Sequence, residues 1–281
     1  MTATDAPSEM ISTDNFTREP ALIAVRDVTM RFPIPKRYRE WVTAPFRRRR
    51  VSTALSHVNL DVHTGDRVAV MGPNGAGKTT LLKLIAGVLL PTEGKVFVNA
   101  RSTSEQSATT RRSVGFVFNE ERSFFWRLTG TQNLEFFGAL DNLYGRQLRE
   151  RIAYALELVG LQDAGDKAVY TYSSGMKQRL AIARVLIAEP DVFILDEPTR
   201  ALDPVACDLL VELILSTLHR NSQKTLLIAT HRPEEASLLC NKVLVVGGGS
   251  IAGSESMDEL KTRGVTVLEY YRQLMVSEDR S

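Results

Sequence analysis

Cysteine, long apolar runs and an excess of charge of one sign are what this 281-residue chain lacks. Its two cysteines, Cys207 and Cys240, stand far apart and match no metal-ligand spacing, which excludes a disulfide scaffold and suits reduced thiols. No apolar run reaches the length of a membrane span; residues 84–90 are far too few. The first twenty residues carry Asp5, Glu9, Asp14 and Glu19 with no apolar h-region, so residues 1–20 read as a disordered tail and not as a signal peptide. That places the chain in the cytosol or on the cytosolic face of a membrane. Thirty-five basic against 33 acidic residues leave a net charge of +2, which excludes a molecule that holds nucleic acid by bulk charge. Hydrophobic residues make up 43% of the chain, ample for a real core.

What is present begins with Gly72-Pro73-Asn74-Gly75-Ala76-Gly77-Lys78-Thr79, a GxxxxGK[ST] loop. Its glycines let successive backbone N–H groups turn inward onto phosphate oxygens. Lys78 adds a point charge near the β- and γ-phosphates, and the Thr79 hydroxyl is a ligand for Mg²⁺. Val68-Ala69-Val70-Met71 reads as a buried strand before the loop. Residues 80–86, starting at Thr80, read as a helix whose N-terminus faces the anion. A glycine turn without a ligand would need neither the lysine nor this context. The expected ligand is a nucleoside triphosphate, with Mg²⁺ as its metal.

Beta-type patterning covers residues 22–32 and 55–62, with a Pro-punctuated basic insert at 33–53 between them. Residues 95–98 and 114–118 are further strand candidates. From about 130 to 175 the pattern turns helical, with Leu148, Ile152, Ala155 and Val159 on one stripe; Met176, Leu180, Ala183 and Ile187 form another. Continuous apolar runs at 192–195, 226–229 and 243–246 suit strands buried on both faces. Strands alternating with helices predict an α/β core with a mostly parallel sheet, an N-terminal antiparallel β subdomain and a helical subdomain inserted at 130–175. The nucleotide-binding domain is expected over 21–264, and residues 265–281 as a C-terminal tail.

The 192–195 strand leads into Asp196-Glu197 at the carboxyl edge, where open α/β sheets bind ligands. Asp196 is placed to hold Mg²⁺ through water, and Glu197 to align and deprotonate a water facing the γ-phosphate. His231 follows the 226–229 strand in the same way; a lone histidine is more often a surface residue, but its place on this edge points to the γ-phosphate.

Taken together, these residues resemble the nucleotide-binding subunit of an ABC transporter over residues 22–260. Tyr172-Ser173-Ser174-Gly175-Met176-Lys177-Gln178-Arg179 resembles that family's LSGGQ signature. It lies 23 residues before Asp196, at a helix start. The resemblance implies that the triphosphate is ATP, and that Ser173 and Gly175 cap the γ-phosphate of ATP bound to a second copy, so that two chains sandwich two ATP head to tail. It also implies that Asp203, in Ala201-Leu202-Asp203-Pro204, communicates between those sites. The family's Mg²⁺-sensing glutamine aligns with Asn119, one methylene shorter, which is read as keeping its place at the metal and γ-phosphate. Ser174 and Met176 replace the usual glycine and glutamine, a variant that resembles the branch exporting polysaccharides, lipids and drugs. Phe32 is expected to stack on adenine, with Tyr38 and Trp41 as rivals.

The insert holds seven basic residues between Lys36 and Arg50, with Glu40, Tyr38, Trp41 and Phe46 among them. A solvated face is one reading; anionic lipid headgroups are the sharper one, since each Lys or Arg near such a surface gains about 1 kcal/mol. The expected partners are a second copy of the chain and an integral membrane permease subunit, with no nucleic acid. A soluble relative acting on ribosomes or DNA is the rival. It would carry tandem cassettes or a long coiled coil, whereas Lys78 and Ser173 are only 95 residues apart.

Overall fold

The computed structural model of the chain describes residues 21–34, 50–105, 110, 112–117, 124–200, 202–220 and 223–278. In chain order its strands are β1 (Ile23–Pro33), β2 (Val51–Val62), β3 (Arg67–Met71), β4 (Glu93–Val98), β5 (Arg101–Ser102), β6 (Val114–Val117), β7 (Val192–Asp196), β8 (Thr225–Ala229), β9 (Lys242–Gly247) and β10 (Ser250–Ser256). The helices around them are α1 (Lys78–Ile85), α2 (Gly130–Leu140), α3 (Gly145–Leu158), α4 (Ser174–Leu186), α5 (Pro204–Arg220), α6 (Pro233–Leu239), α7 (Met257–Thr262) and α8 (Val267–Glu278).

The short strands without a polar face lie side by side, as runs apolar on both faces must. They form a six-stranded sheet in the order β10-β9-β3-β8-β7-β6, parallel except where β10 folds back on β9. The amphipathic strands form a second, antiparallel sheet in the order β2-β1-β4-β5. The expected α/β core with an antiparallel N-terminal sheet is therefore present.

Alternation along the parallel strands divides the interior in two. Val68, Val70, Ile194, Leu227 and Ala229 point into a core shared with β1, β2 and α1, through Val25, Leu55, Leu81 and Leu84. Ala69, Met71, Leu195 and Ile228 point the other way, into a core shared with α4, α5 and α8, through Leu180, Leu210 and Tyr270. Each such Val, Leu, Ile or Met side chain contributes roughly 1.5–3 kcal/mol by burial, and a one-residue slip would send all of them to the wrong side. The same alternation has a functional result: residues 192, 194 and 196 share a face, so Asp196 emerges on the side of α1.

Between 130 and 175 stand α2, α3 and two short 3₁₀ turns, Gln162–Ala164 and Val169–Thr171. The stripe Leu148, Ile152, Ala155 and Val159 is buried as expected. Two boundaries differ from the sequence reading. The β1–β2 ladder reaches Pro33 paired with Val51, and the Ile34 N–H donates to the Arg50 carbonyl at 2.8 Å, so the ends of the 33–53 stretch are strand. Residues 35–49, with most of the basic insert, Tyr38 and Trp41, lie outside the described residues. The stretch read as a tail from 265 carries α8, which buries Val267 and Tyr270 in the core. Its start is fixed by a capping pair: Thr266 Oγ1 accepts from the Glu269 N–H at 3.2 Å, and the Glu269 carboxylate accepts from the Thr266 N–H at 2.8 Å. No helix among the described residues is long and apolar enough to cross a membrane.

Candidate functional site

Register brings three strand ends level, since Ala229 of β8 pairs with Val70 of β3 on one side and Asp196 of β7 on the other. Beyond β3 the chain turns through Gly72, Pro73, Asn74, Gly75, Ala76 and Gly77 into α1. Gly77 has φ +107°, and a Cβ there would lie 2.6 Å from the Ala54 carbonyl oxygen and from Leu55 Cδ2, so no other residue fits. No side chain caps α1 and its first turn holds no acid, which leaves the leading N–H groups and the helix dipole to an incoming anion. The result is a cleft of about 350 Å³, lined by Asn74, Gly75, Gly77, Lys78, Thr79 and Thr80 and closed by Ala54, Lys83, Asp196, Glu197 and Arg200.

Inside it, charge and burial oppose each other. The buried Lys78 ammonium donates to the carbonyls of Gly72 at 2.7 Å and Pro73 at 2.9 Å. Burial holds its pKa below the ordinary lysine value, with Glu197 and Asp196 pulling the other way. Asp196 is pushed above the usual carboxylate range, first by burial; a hydrogen bond from Thr79 opposes the shift and the Glu197 charge adds to it. A half-buried carboxylate touching a threonine hydroxyl is a fitting place for a hard cation. Two such groups are too few for a protein-only cage, so the phosphates would supply the remaining oxygens.

Glu197 leaves the strand in left-handed backbone, φ +48°, a conformation that costs a non-glycine residue about 1–2 kcal/mol. Its N–H donates to the Ala229 carbonyl at 2.9 Å, which ties it to the end of β8. The side chain is 14% exposed, with Oε2 accepting from Arg200 Nη1 at 3.1 Å and Oε1 3.9 Å from His231 Nδ1. Lys78, Thr79, Asp196, Glu197 and His231 thus converge on one sheet edge.

Ser173, Gly175 and Asp203 line a different, smaller cleft of about 110 Å³, together with Ser174, Arg179, Leu202, Ala206 and Leu209. Ser173 Oγ accepts from the Met176 N–H at 3.2 Å and so opens α4; Asp203 Oδ1 accepts from the Ala206 N–H at 3.0 Å and opens α5. A Cβ on Gly175 would meet nothing nearer than Ala206 Cβ, at 3.5 Å, an ordinary contact, so the fold itself does not demand glycine there. The two clefts have no lining residue in common.

Phe32 lies exposed near the end of β1, opposite Ser52, outside the lining of the phosphate cleft. Asn119 falls outside the described residues. The sequence reading missed three residues of the cleft. Ala54 enters from β2, beyond the insert, where no local pattern signals it. Lys83 is one helical turn beyond Thr79. Arg200 had a readable signal, three residues after Glu197, but a charge in a turn usually faces solvent.

Comparison with known proteins agrees with this geometry. A sequence profile of the ABC transporter family matches residues 55–200. The ABC transporter ATP-binding protein NatA of Bacillus subtilis is 34% identical over 76% of this chain and 86% of its own length. A taurine import ATP-binding protein, TauB, of Jannaschia is 34% identical over 80% of this chain and 77% of its own length. The dimeric ATP-binding cassette MJ0796, bound to ADP and phosphate after hydrolysis, superposes with a TM-score of 0.71 at 27% identity, covering 84% of this chain and 98% of that one. With its phosphate loop, paired carboxylates and signature on matching scaffolds, the chain belongs to the ABC transporter family, as an ATP-binding subunit and an ATPase.

Proposed function

We propose that this chain powers a membrane exporter by closing head to tail on a second copy around two ATP and docking on separate permease subunits. The observation that carries the pairing is the separation of the two clefts. Ser173 and Gly175 open a helix N-terminus suited to an anion, yet they line a cleft apart from this chain's own phosphate loop. The phosphate they serve belongs to a partner copy.

Within one composite site the roles follow from position. The loop N–H groups and Lys78 hold the β- and γ-phosphates, while Phe32 stacks on the base. Thr79 and Asp196, with Asn119, hold Mg²⁺, which when bound neutralises charge on the phosphate oxygens. Glu197 aligns a water with the γ-phosphorus and takes its proton as the oxygen bonds to phosphorus and the bond to the ADP oxygen breaks. His231 steadies the γ-phosphate, and Ser173 and Gly175 of the second copy close over it. Asp203 sits where the copies meet. Catalysis here is positioning and charge stabilisation. Export as the direction rests on the Ser174 and Met176 variant and the basic insert. Among relatives, a Nod factor export protein of Cupriavidus metallidurans at 35% identity carries that direction in its name, whereas the taurine proteins carry the opposite. The basic residues from Lys36 to Arg50 would rest against anionic lipid at the cytosolic face of the membrane.

Two measurements test this. Glu197→Gln is expected to bind ATP normally and lose roughly 10²–10⁴-fold in kcat; near-normal phosphate release would remove Glu197 from the base role. Affinity purification from detergent-solubilised membranes should bring down an integral membrane protein at a one-to-one ratio. Recovery with ribosomes or nucleic acid alone would overturn the transport reading.

A further inference from the structure

Arg200, like Ala54 and Lys83, lines the phosphate cleft and has had no role so far. It stands at the end of the turn Glu197-Pro198-Thr199-Arg200, closed by the Arg200 N–H donating to the Glu197 carbonyl at 3.2 Å. That turn folds the guanidinium back over the carboxylate, where Nη1 donates to Glu197 Oε2 at 3.1 Å. The two ends of this pair differ in burial: the Arg200 side chain is 64% exposed and the Glu197 side chain 14%. Arg200 also lines the same cleft as Lys78 and Asn74, where the triphosphate belongs.

We infer that Arg200 is a positioning residue, a latch that holds the Glu197 carboxylate away from its water until a γ-phosphate draws the guanidinium off. The inference rests on the proposed base role of Glu197. A base must offer a free lone pair to the water it deprotonates. Here Oε2 is taken by a cation, and Oε1 lies toward His231. A guanidinium binds phosphate oxygens at least as well as carboxylate, and the triphosphate brings more charge. Because the Arg200 end is exposed, its exchange of partners meets little steric resistance, while Glu197 stays anchored by its backbone. ADP, lacking the γ-phosphate, would leave the latch closed.

Binding of a non-hydrolysable ATP analogue by the full chain tests the latch. The guanidinium must leave Glu197 to reach the γ-phosphate, so Arg200→Ala should weaken analogue binding about threefold more in a Glu197→Ala background than in wild type, the scale of a half-exposed ion pair. Arg200→Lys, keeping a charge on a poorer contact, should show a smaller difference between the two backgrounds. For ADP, which leaves the latch closed, Arg200→Ala should have the same effect in both backgrounds. An equal effect on analogue binding in the two backgrounds, with Glu197→Gln inactive, would overturn the latch and leave the base role standing. A Glu197→Gln variant that turns over normally would instead remove the base role itself.

Discussion

At the scale of single residues, burial sets the character of the charged groups behind the cleft. Glu235 is 4% exposed, and its Oε2 accepts from the Thr230 hydroxyl. Burial pushes its carboxyl above the ordinary 4.5, against hydrogen bonds from Thr230 and Thr199 and the charge of Arg232. A raised acid keeps its proton in the folded chain after the unfolded chain has lost it. Its contribution to stability therefore falls as pH rises through the window just above the ordinary carboxylate value. Asp141 and Asp196 are displaced in the same direction, by burial first. Glu235→Gln should accordingly flatten the decline of the urea midpoint as pH rises above the ordinary carboxylate value. Equal slopes for variant and wild type would mean that Glu235 titrates as an ordinary surface acid.

At the scale of elements, the signature helix α4 is held in place by the residue before its cap. Buried Tyr172 donates its hydroxyl to the Ala164 carbonyl at 2.6 Å, bracing the helix start against the turn that ends the α3 segment. Gly130 at the head of α2 leaves room for that hydroxyl, since a Cβ there would lie 2.4 Å from it. Tyr172→Phe removes one of two donors to the Ala164 carbonyl, which keeps the Lys167 N–H at 2.9 Å, and should cost about 0.5–1.5 kcal/mol in chemical denaturation with ATP affinity unchanged. A loss of ATP affinity without a loss of stability would contradict a purely bracing role. Residues with this kind of job are hard to see in a sequence. The strands were legible because unbroken runs such as Val192-Phe193-Ile194-Leu195 have one sensible home, between two cores. The phosphate loop was legible because its chemistry permits few alternatives. Ala54, Arg200 and Tyr172 act through neighbours brought close by the fold, and nothing in their local spacing states who those neighbours are. Helix α8 was a different case: its Thr266 and Glu269 capping pair stood in the sequence, but twelve mixed residues beyond a glycine read as easily for a tail.

At the scale of the molecule, two cores share one parallel sheet, and the sheet's carboxyl edge gathers residues from three strand ends. The stretch that resembles the signature opens α4 after the helical segment and lines a cleft that shares no residue with the phosphate cleft. In the proposed pair each working site is assembled from the phosphate cleft of one copy and the signature of the other. Damage to the two clefts should then complement. Lys78→Ala and Gly175→Glu, each silent when purified alone, would form mixed pairs in which one site carries both lesions and the other carries neither. Hydrolysis should return on mixing and be greatest near equal proportions; silence at every ratio would sink the head-to-tail arrangement. Being active would then be a property of a couple, and two dead proteins in one tube would be enough to show it.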